Sequence, residues 1–463
     1  MISKLVLNNF KSFPDSYGKN NTLILSQFSV LLGTNASGKS NICDALRFLH
    51  GIAKGYTLLE IINEKRGISG EIIWKGIRGG AREIYCKQWG GFFSLEVDIQ
   101  VARKKLSYEI FVEVSEDGIP TLFQEILNEG DDRIYQFSLN TSDKYEFNRS
   151  IKLDEANTVN VKINELNLIE IKVSRNKPIL ANMIQSLDEQ LLKYAFSLTT
   201  QSKMKNDRGG TILATGLLVN TVDEEEQLWL ENSRHIKQTL SVLQSMRFFD
   251  LNPEAMRAPS LTGQTILGEQ GENLSSVLHA IHEQKDDTEA NMLEWLGALT
   301  PMDATDFKFY TDPYTNKVLA ILIESNGQET SLYSASDGTL RFLAILAALF
   351  SPTPASLYFF EEIENGIHPS RLYLLVELLE ERAKSGIQII ATTHSPQLLS
   401  LVSQTTLENS SLIYRAGDHH SSQIMPILEI PNIKEILEKQ DIAKLYSTGW
   451  FEDVMEFMQE DSQ

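Results

Sequence analysis

Cysteine is nearly absent from this 463-residue chain, which has only Cys43 and Cys86. Two cysteines build no disulfide framework, and these two form no C-x-x-C pair of the kind that holds zinc. Basic residues are also short: 42 Lys and Arg stand against 62 Asp and Glu, a formal charge of −20. That deficit excludes a broadly basic nucleic-acid coat, because neutralising phosphates takes clustered cations; a small basic groove on an acidic body stays compatible with it. Long apolar runs are missing too. The longest strongly apolar stretch, Phe342 to Phe350, falls well short of a bilayer span. Met1 to Phe10 alternate apolar and polar, unlike the continuous apolar core of a secretion signal. No heptad array is sustained, so no long coiled coil is expected. These absences point to a soluble, cytoplasmic protein without membrane contact.

What is present is ordinary globular material, with 42% hydrophobic and 22% charged residues. Ile2 to Leu7 alternate as a half-buried strand, and Phe28 to Leu32 read as a buried strand stopping at Gly33. Ile42, Ala45, Leu46 and Leu49 then fall at helical spacing. From about Glu71 to Lys172 the period becomes two, in Phe93–Ile99, Ser107–Val114 and Tyr135–Leu139, which predicts an antiparallel sheet. Leu187, Leu191, Leu192, Tyr194, Ala195 and Leu198 form a helical stripe in a short arm or lid. The last third alternates again: an apolar helix over Leu340–Leu349, a buried strand over Leu357–Phe360, an amphipathic helix over Ser370–Ala383 and a buried strand over Gln388–Thr392. The fold class is therefore α/β, a mostly parallel sheet shared with the N-terminal strands, with an antiparallel subdomain and an inserted helical region; the core domain is expected to be split, residues from about 60 to 300 being inserted between its halves. The expected segments are 1–175, 176–250, 251–410 and a tail over 411–463, fraying at Asp461–Gln463.

The strongest motif is Gly33-Thr34-Asn35-Ala36-Ser37-Gly38-Lys39-Ser40, a full match to G-x-x-x-x-G-K-[ST]. Its glycines let the backbone bend around phosphate oxygens while amide N–H groups face inward as an anion nest. Lys39 lies along the β- and γ-phosphates, Ser40 offers its hydroxyl to Mg²⁺, and the following helix points its positive end at the same anion. A strand before and a helix after satisfy the context this motif needs. It predicts a nucleoside-triphosphate site for ATP with Mg²⁺.

Leu357-Tyr358-Phe359-Phe360 ends in Glu361 and Glu362. A doubly buried strand seldom finishes in adjacent acids unless they meet a metal or a cation. Glu361 is expected beside Mg²⁺, and Glu362 is the candidate base that orients and deprotonates the attacking water. One helix later, Gln388 to Thr393 ends in His394, at the carboxyl edge where open α/β sheets gather ligands. His394 is expected to sense the γ-phosphate or hold the water. A third element, Ser334 to Arg341, leads small polar residues into a helix; on spacing alone Ser336 or Asp337 is an N-cap.

Together these motifs resemble the ABC-type P-loop ATPases of the RecF and SMC class. Ile2 to Phe13, with Asn9-Phe10-Lys11-Ser12, looks like that class's first strand and its basic turn. Gly33 to Asn41 matches its Walker A pattern, Phe359 to Glu362 its Walker B, Ser336-Asp337-Gly338 a variant signature, and His394 its switch histidine. Closer still are bacterial ATPases that share the runs Glu361 to Pro369 and Thr393 to Leu399. The resemblance implies an ATPase head, two of which face each other over two ATP molecules. Lys39 and Ser40 of one head and Ser336 and Gly338 of the other would then meet the same nucleotide, with Asn41 and Asp337 counted among the binding positions as neighbours in their motifs. It also places Lys11 near the nucleotide and Asn365 in a loop crossing the dimer interface. Two departures stand out. Glu361 replaces the usual Asp, and Asp337 replaces the usual glycine. The glutamine-loop residue stays open among Gln238, Gln244 and Gln264.

Transporter motors share these motifs but carry the signature much closer to Walker A. Relatives that fuse a TOPRIM nuclease need a D-x-D pair, and residues 397–463 contain none. The favoured reading is the sensor ATPase of an anti-phage cassette, assembled as a homodimer or larger oligomer and controlling a separately encoded TOPRIM-like effector. The alternative is a DNA-repair or chromosome-maintenance ATPase that clamps DNA. A nucleotide-locked scaffold is the fallback, and intact Lys39, Glu362 and His394 argue against it.

Overall fold

The computed structural model describes residues 1–14, 21–87, 90–138, 158–163, 167–172, 176–180, 224–284, 287–299, 304–416, 421–451 and 453–454. The stripe from Leu187 to Leu198 and the end at Asp461–Gln463 lie outside the described residues. The chain forms two compact units. One comprises residues 20–43 and 245–463 with Met1, the other residues 2–19 and 44–244. The boundary falls inside the helix Lys39–Ala53.

The first unit is built on a sheet with strand order Arg247–Phe249, Leu357–Phe360, Gln388–Thr393, Phe28–Leu32, Ser411–Ala416, Ser421–Pro426. The first five strands run parallel and the last pair antiparallel. The central three strands are buried at every position, which suits strands covered on both faces. The helix Asp337–Leu349 is buried over ten of its thirteen residues, in keeping with its apolar sequence. A hairpin of Ala304–Thr311 with Lys317–Glu324 carries two shorter antiparallel strands, Ser260–Leu261 and Glu329–Ser331, both paired with Lys317–Glu324.

Phe28–Leu32 finds its hydrogen-bonding partners in strands of the last third, the sharing of one sheet that the alternation predicts, so the segment 1–175 is divided between the units. One expectation changes here. Residues 411–426 are no tail: Leu412, Ile413 and Ile424 are buried, and both strands complete the main sheet.

Register explains how distant motifs converge. Phe360 is opposite Ala391, and Thr393 is opposite Leu32. The turns beginning at Gly33, Glu361 and His394 therefore leave the same carboxyl edge of three adjacent parallel strands, where such sheets place ligands.

In the second unit Ile2–Asn8, Phe92–Val101, Lys104–Val114, Pro120–Glu129 and Asp132–Ser138 are neighbours in that order, all antiparallel. Alternating burial along Lys104–Val114 matches the period-two reading. Inside it lies a fully buried carboxylate. Glu125 accepts hydrogen bonds from Tyr108 Oη and Tyr135 Oη, both at 3.0 Å, and from the backbone N–H groups of Ile179 and Leu180 at 2.6 and 2.8 Å. Burial raises its pKa against the pull of those four donors. No helix among the described residues is long and apolar enough to cross a membrane.

Candidate nucleotide site

A recess of about 170 Å³ opens at that carboxyl edge, lined by Asn35 through Asn41 together with Glu361, Glu362, Thr392 and Arg415. Gly33 begins the loop at φ +150°, and a Cβ there would stand 2.1 Å from the Ile413 carbonyl oxygen, so this turn needs glycine. Ala36 takes the left-handed region at φ +62°, bending the loop as an inward-facing nest of amides requires. Ser422 Oγ donates to the Ser37 carbonyl at 2.5 Å, fastening the loop to the last strand of the sheet. The Ser37 hydroxyl itself is buried without a hydrogen-bond partner, one sign of a polar site shaped for a ligand.

Lys39 is buried, and its ammonium donates to the carbonyls of Gly33 at 2.5 Å and Thr34 at 2.9 Å. Desolvation lowers its pKa, while the charges of Glu362, Glu364 and Glu361 act in the opposite sense. Next along the chain, Ser40 Oγ donates to Glu361 Oε2 at 2.9 Å, across 321 residues of sequence. The extra methylene of Glu361 therefore leaves its carboxylate within reach of the serine. Among the described residues no cluster of three or more His, Cys, Asp or Glu could hold a metal. A magnesium site needs none here: this ion keeps several waters and takes one or two protein oxygens plus substrate phosphates, which Ser40 and Glu361 fit.

Glu362 sits in the left-handed region at φ +47°, an uncommon conformation for a residue with a side chain. Its N–H donates to Thr392 Oγ1 at 2.9 Å, and its Oε2 accepts from Asn365 Nδ2. His394 Nε2 lies 3.6 Å from Glu362 Oε1. The His394 N–H donates to Glu364 Oε1 at 3.0 Å, which sets the histidine at the strand end. A carboxylate aimed into the recess, flanked by an amide and an imidazole, has the parts to orient a water and take its proton.

The expected residues do not all meet in one place. Ser336, Asp337 and Gly338 line no part of the recess. Ser336 is the N-cap of Asp337–Leu349, its Oγ accepting from the Thr339 N–H at 3.1 Å, and both Ser336 and Asp337 are exposed. Gly338 touches the loop after Glu362: a Cβ on it would be 2.8 Å from the Gly366 carbonyl oxygen. Lys11 belongs to the second unit, at φ +53°, where its ammonium forms a buried ion pair with Asp44 that Arg78 joins at 3.2 Å. Of the three glutamines, Gln264 gives its backbone N–H to Ser276 Oγ and lies off the recess, and Gln238 and Gln244 belong to the second unit.

Sequence reasoning missed Thr392, Glu364 and Arg415. Thr392 and Glu364 were within reach, each standing within two residues of a motif position. Arg415 was not. It comes 53 positions after Glu362 in a strand with no motif, and only the sheet order brings it to the recess.

Residues 28–400 match the family described as "AAA domain, putative AbiEii toxin, Type IV TA system". An "ATP/GTP phosphatase" of Helicobacter pylori (strain ATCC 700392 / 26695) is 26% identical over 98 residues, 20% of this chain and 26% of that protein. The chain thus matches about a quarter of that relative's length. Among solved structures, an SMC head bound to the C-winged helix domain of ScpA is 14% identical, covering 92% of this chain and 97% of that one at a TM-score of 0.46. The SMC head domain from Thermotoga maritima is 12% identical, covering 92% and 98%, with a TM-score of 0.39.

Proposed function

The chain belongs to this AAA-domain family of P-loop ATPases, and from that premise we propose that it hydrolyses ATP between two facing copies and uses that cycle to control a separately encoded, nuclease-like effector in bacterial anti-phage defence. One observation carries the dimeric part of the reading. The phosphate loop, Glu361, Glu362 and His394 converge at one sheet edge, whereas the exposed Ser336 turn lies off that recess. A helix N-terminus of this kind favours an anion, which supports a reading in which the facing copy's nucleotide meets it.

In the proposed reaction Lys39 turns from the carbonyls of Gly33 and Thr34 to the β- and γ-phosphates. Ser40 and Glu361 would hold Mg²⁺, which when bound offsets phosphate charge. Glu362 takes a proton from the water whose oxygen attacks the γ-phosphorus, and the bond from that phosphorus to the β–γ bridging oxygen breaks, leaving ADP and phosphate. His394 and Asn365 hold the Glu362 carboxylate in line. Arg415 adds a second cation beside the loop. The charge of −20 supports docking to a protein better than wrapping of DNA, and the toxin system in the family's description supports a setting in bacterial conflict.

Two variants test this. Lys39→Ala is expected to lose ATP binding. Glu362→Gln, expressed from its own operon and purified with ATP and Mg²⁺, is expected in native mass spectrometry as an oligomer carrying ATP and a neighbour-encoded protein. A bare dimer retaining DNA would replace the defence reading with the repair one, and a monomer would remove head dimerisation.

A further inference from the structure

Asp337 is a problem for the Ser336 turn. It places a carboxylate in the first turn of the helix Asp337–Leu349, 63% exposed, at the spot proposed to receive a nucleotide's phosphates from the facing copy. Like charges brought together at an interface oppose association strongly. The exposed turn would then repel the ligand it is proposed to bind.

The same unit supplies an answer 80 residues earlier. Asn252 caps the short helix Pro253–Met256 through its side chain, and Arg257 follows directly at its C-terminus. From there the guanidinium reaches the turn at three points. Nη2 donates to Asp337 Oδ1 at 2.6 Å, and Nη1 donates to the carbonyls of Ala335 at 2.6 Å and Tyr333 at 3.2 Å. Glu254 stands at the other side of the same guanidinium, 3.5 Å from Nε. Only 20% of the Arg257 side chain is exposed, so the pair with Asp337 is partly shielded from water, and its two carbonyl bonds fix the backbone that carries Ser336. Lysine could supply the charge but not this planar fork. One turn into the helix, Arg341 also feels the Asp337 charge, along with those of Asp250 and Glu362.

We infer that Arg257 is a positioning residue for the nucleotide contact across the dimer: it cancels the Asp337 charge and holds the Tyr333–Ser336 backbone in the shape that presents Ser336. This rests on the head-dimer reading above. Asp337, which departs from the glycine of the resembling class, is on this account one half of a pair, tolerated at the turn because Arg257 is opposite it.

The test uses the full chain carrying Glu362→Gln, with sedimentation velocity in ATP and Mg²⁺ for dimerisation, fluorescent ATP for nucleotide binding and thermal melts for folding. Arg257→Gln is expected to weaken ATP-dependent dimerisation by about tenfold to a hundredfold, with ATP still bound. Arg257→Lys, which keeps the charge, is expected to recover part of that loss. In an Asp337→Asn background, where no carboxylate is left to cancel, the same Arg257→Gln change is expected to cost clearly less than it does beside Asp337, because only the bonds to the Tyr333 and Ala335 carbonyls are then lost. A merely structural arginine would give the same loss in both backgrounds and no recovery with lysine, and either result overturns the inference. So does a loss of ATP binding or of folding in step with dimerisation in both Arg257 variants. If the parent Glu362→Gln chain itself stays monomeric with ATP bound, the head-dimer reading falls and takes this inference with it; a parent that dimerises while Arg257→Gln dimerises equally well refutes this inference alone.

Discussion

Gly338→Ala puts a single methyl where the helix Asp337–Leu349 meets the loop after Glu362. The Cβ would stand 2.8 Å from the Gly366 carbonyl oxygen, so the two must separate by more than half an ångström to restore ordinary contact at 3.4 Å. The obstacle is backbone rather than a flexible side chain. Gly366 is itself at φ +70°, and a Cβ built on it would stand 3.2 Å from the side chain of Arg341, which belongs to the same helix as Gly338. Overpacking of this kind costs about 1–3 kcal/mol, which in a unit of this size lowers Tm by about 2–4 °C per kcal/mol. The displacement passes to Asn365, the neighbour of Gly366, and through its amide to the Glu362 carboxylate. Since a 1 Å misplacement of reacting groups costs about a hundredfold, a shift of half that size is expected to slow hydrolysis by about tenfold. The phosphate loop is untouched, so ATP affinity of the isolated chain should hold within about twofold of wild type. Steady-state phosphate release, fluorescent-ATP titration and a thermal melt measure the three quantities. A variant with wild-type Tm and wild-type turnover would show that this contact does not link the helix to the base; ATP affinity falling in step with turnover would show that the damage is not confined to the loop.

Gly33→Ala is expected to abolish tight ATP binding and to lower Tm, since its Cβ meets the Ile413 carbonyl oxygen at 2.1 Å and Ser37 Oγ at 2.6 Å; near-normal nucleotide titration would refute the tight turn. In the second unit, Glu125 has a pKa raised by burial above its ordinary 4.5, so the native chain holds this proton more tightly than the unfolded one. Its contribution to stability is therefore full below 4.5 and lost as pH rises through the raised value. Glu125→Gln should flatten that part of the pH–stability curve and cost about 2–4 kcal/mol, because one carboxamide oxygen cannot accept the four donors now shared by two. Denaturant melts of both proteins between about pH 4 and about pH 7 decide it; parallel curves would contradict the assignment.

How much of this could be read from the chain depended on distance along it. The loop from Gly33 to Ser40 is contiguous, and the phosphate-binding conformation depends mainly on those eight residues, so spacing alone disclosed it. The acids at 361 and 362 and the histidine at 394 could be read because each ends a continuous buried run. The strands Ser411–Ala416 and Ser421–Pro426 were harder: polar residues interrupt them, and what fixes the first is pairing with Phe28–Leu32 nearly 400 positions away, the second pairing in turn with the first. A separation of 80 residues hid Arg257 opposite Asp337, and the sheet order, not spacing, brings Arg415 to the recess. Lys11 shows the converse. Its motif was legible, but its partner Asp44, a carboxylate that Arg78 shares, was not. Local chemistry is written locally, whereas a partner across the fold is specified by topology.

The most direct measurement is single-turnover hydrolysis of ATP by wild type and Glu362→Gln, each saturated with nucleotide and Mg²⁺. With Glu362 as the general base, the variant should bind ATP as tightly as wild type and hydrolyse it slower by about a hundredfold to ten-thousandfold. Hydrolysis at the wild-type rate would take the base role from Glu362 and with it the proposed account of this site.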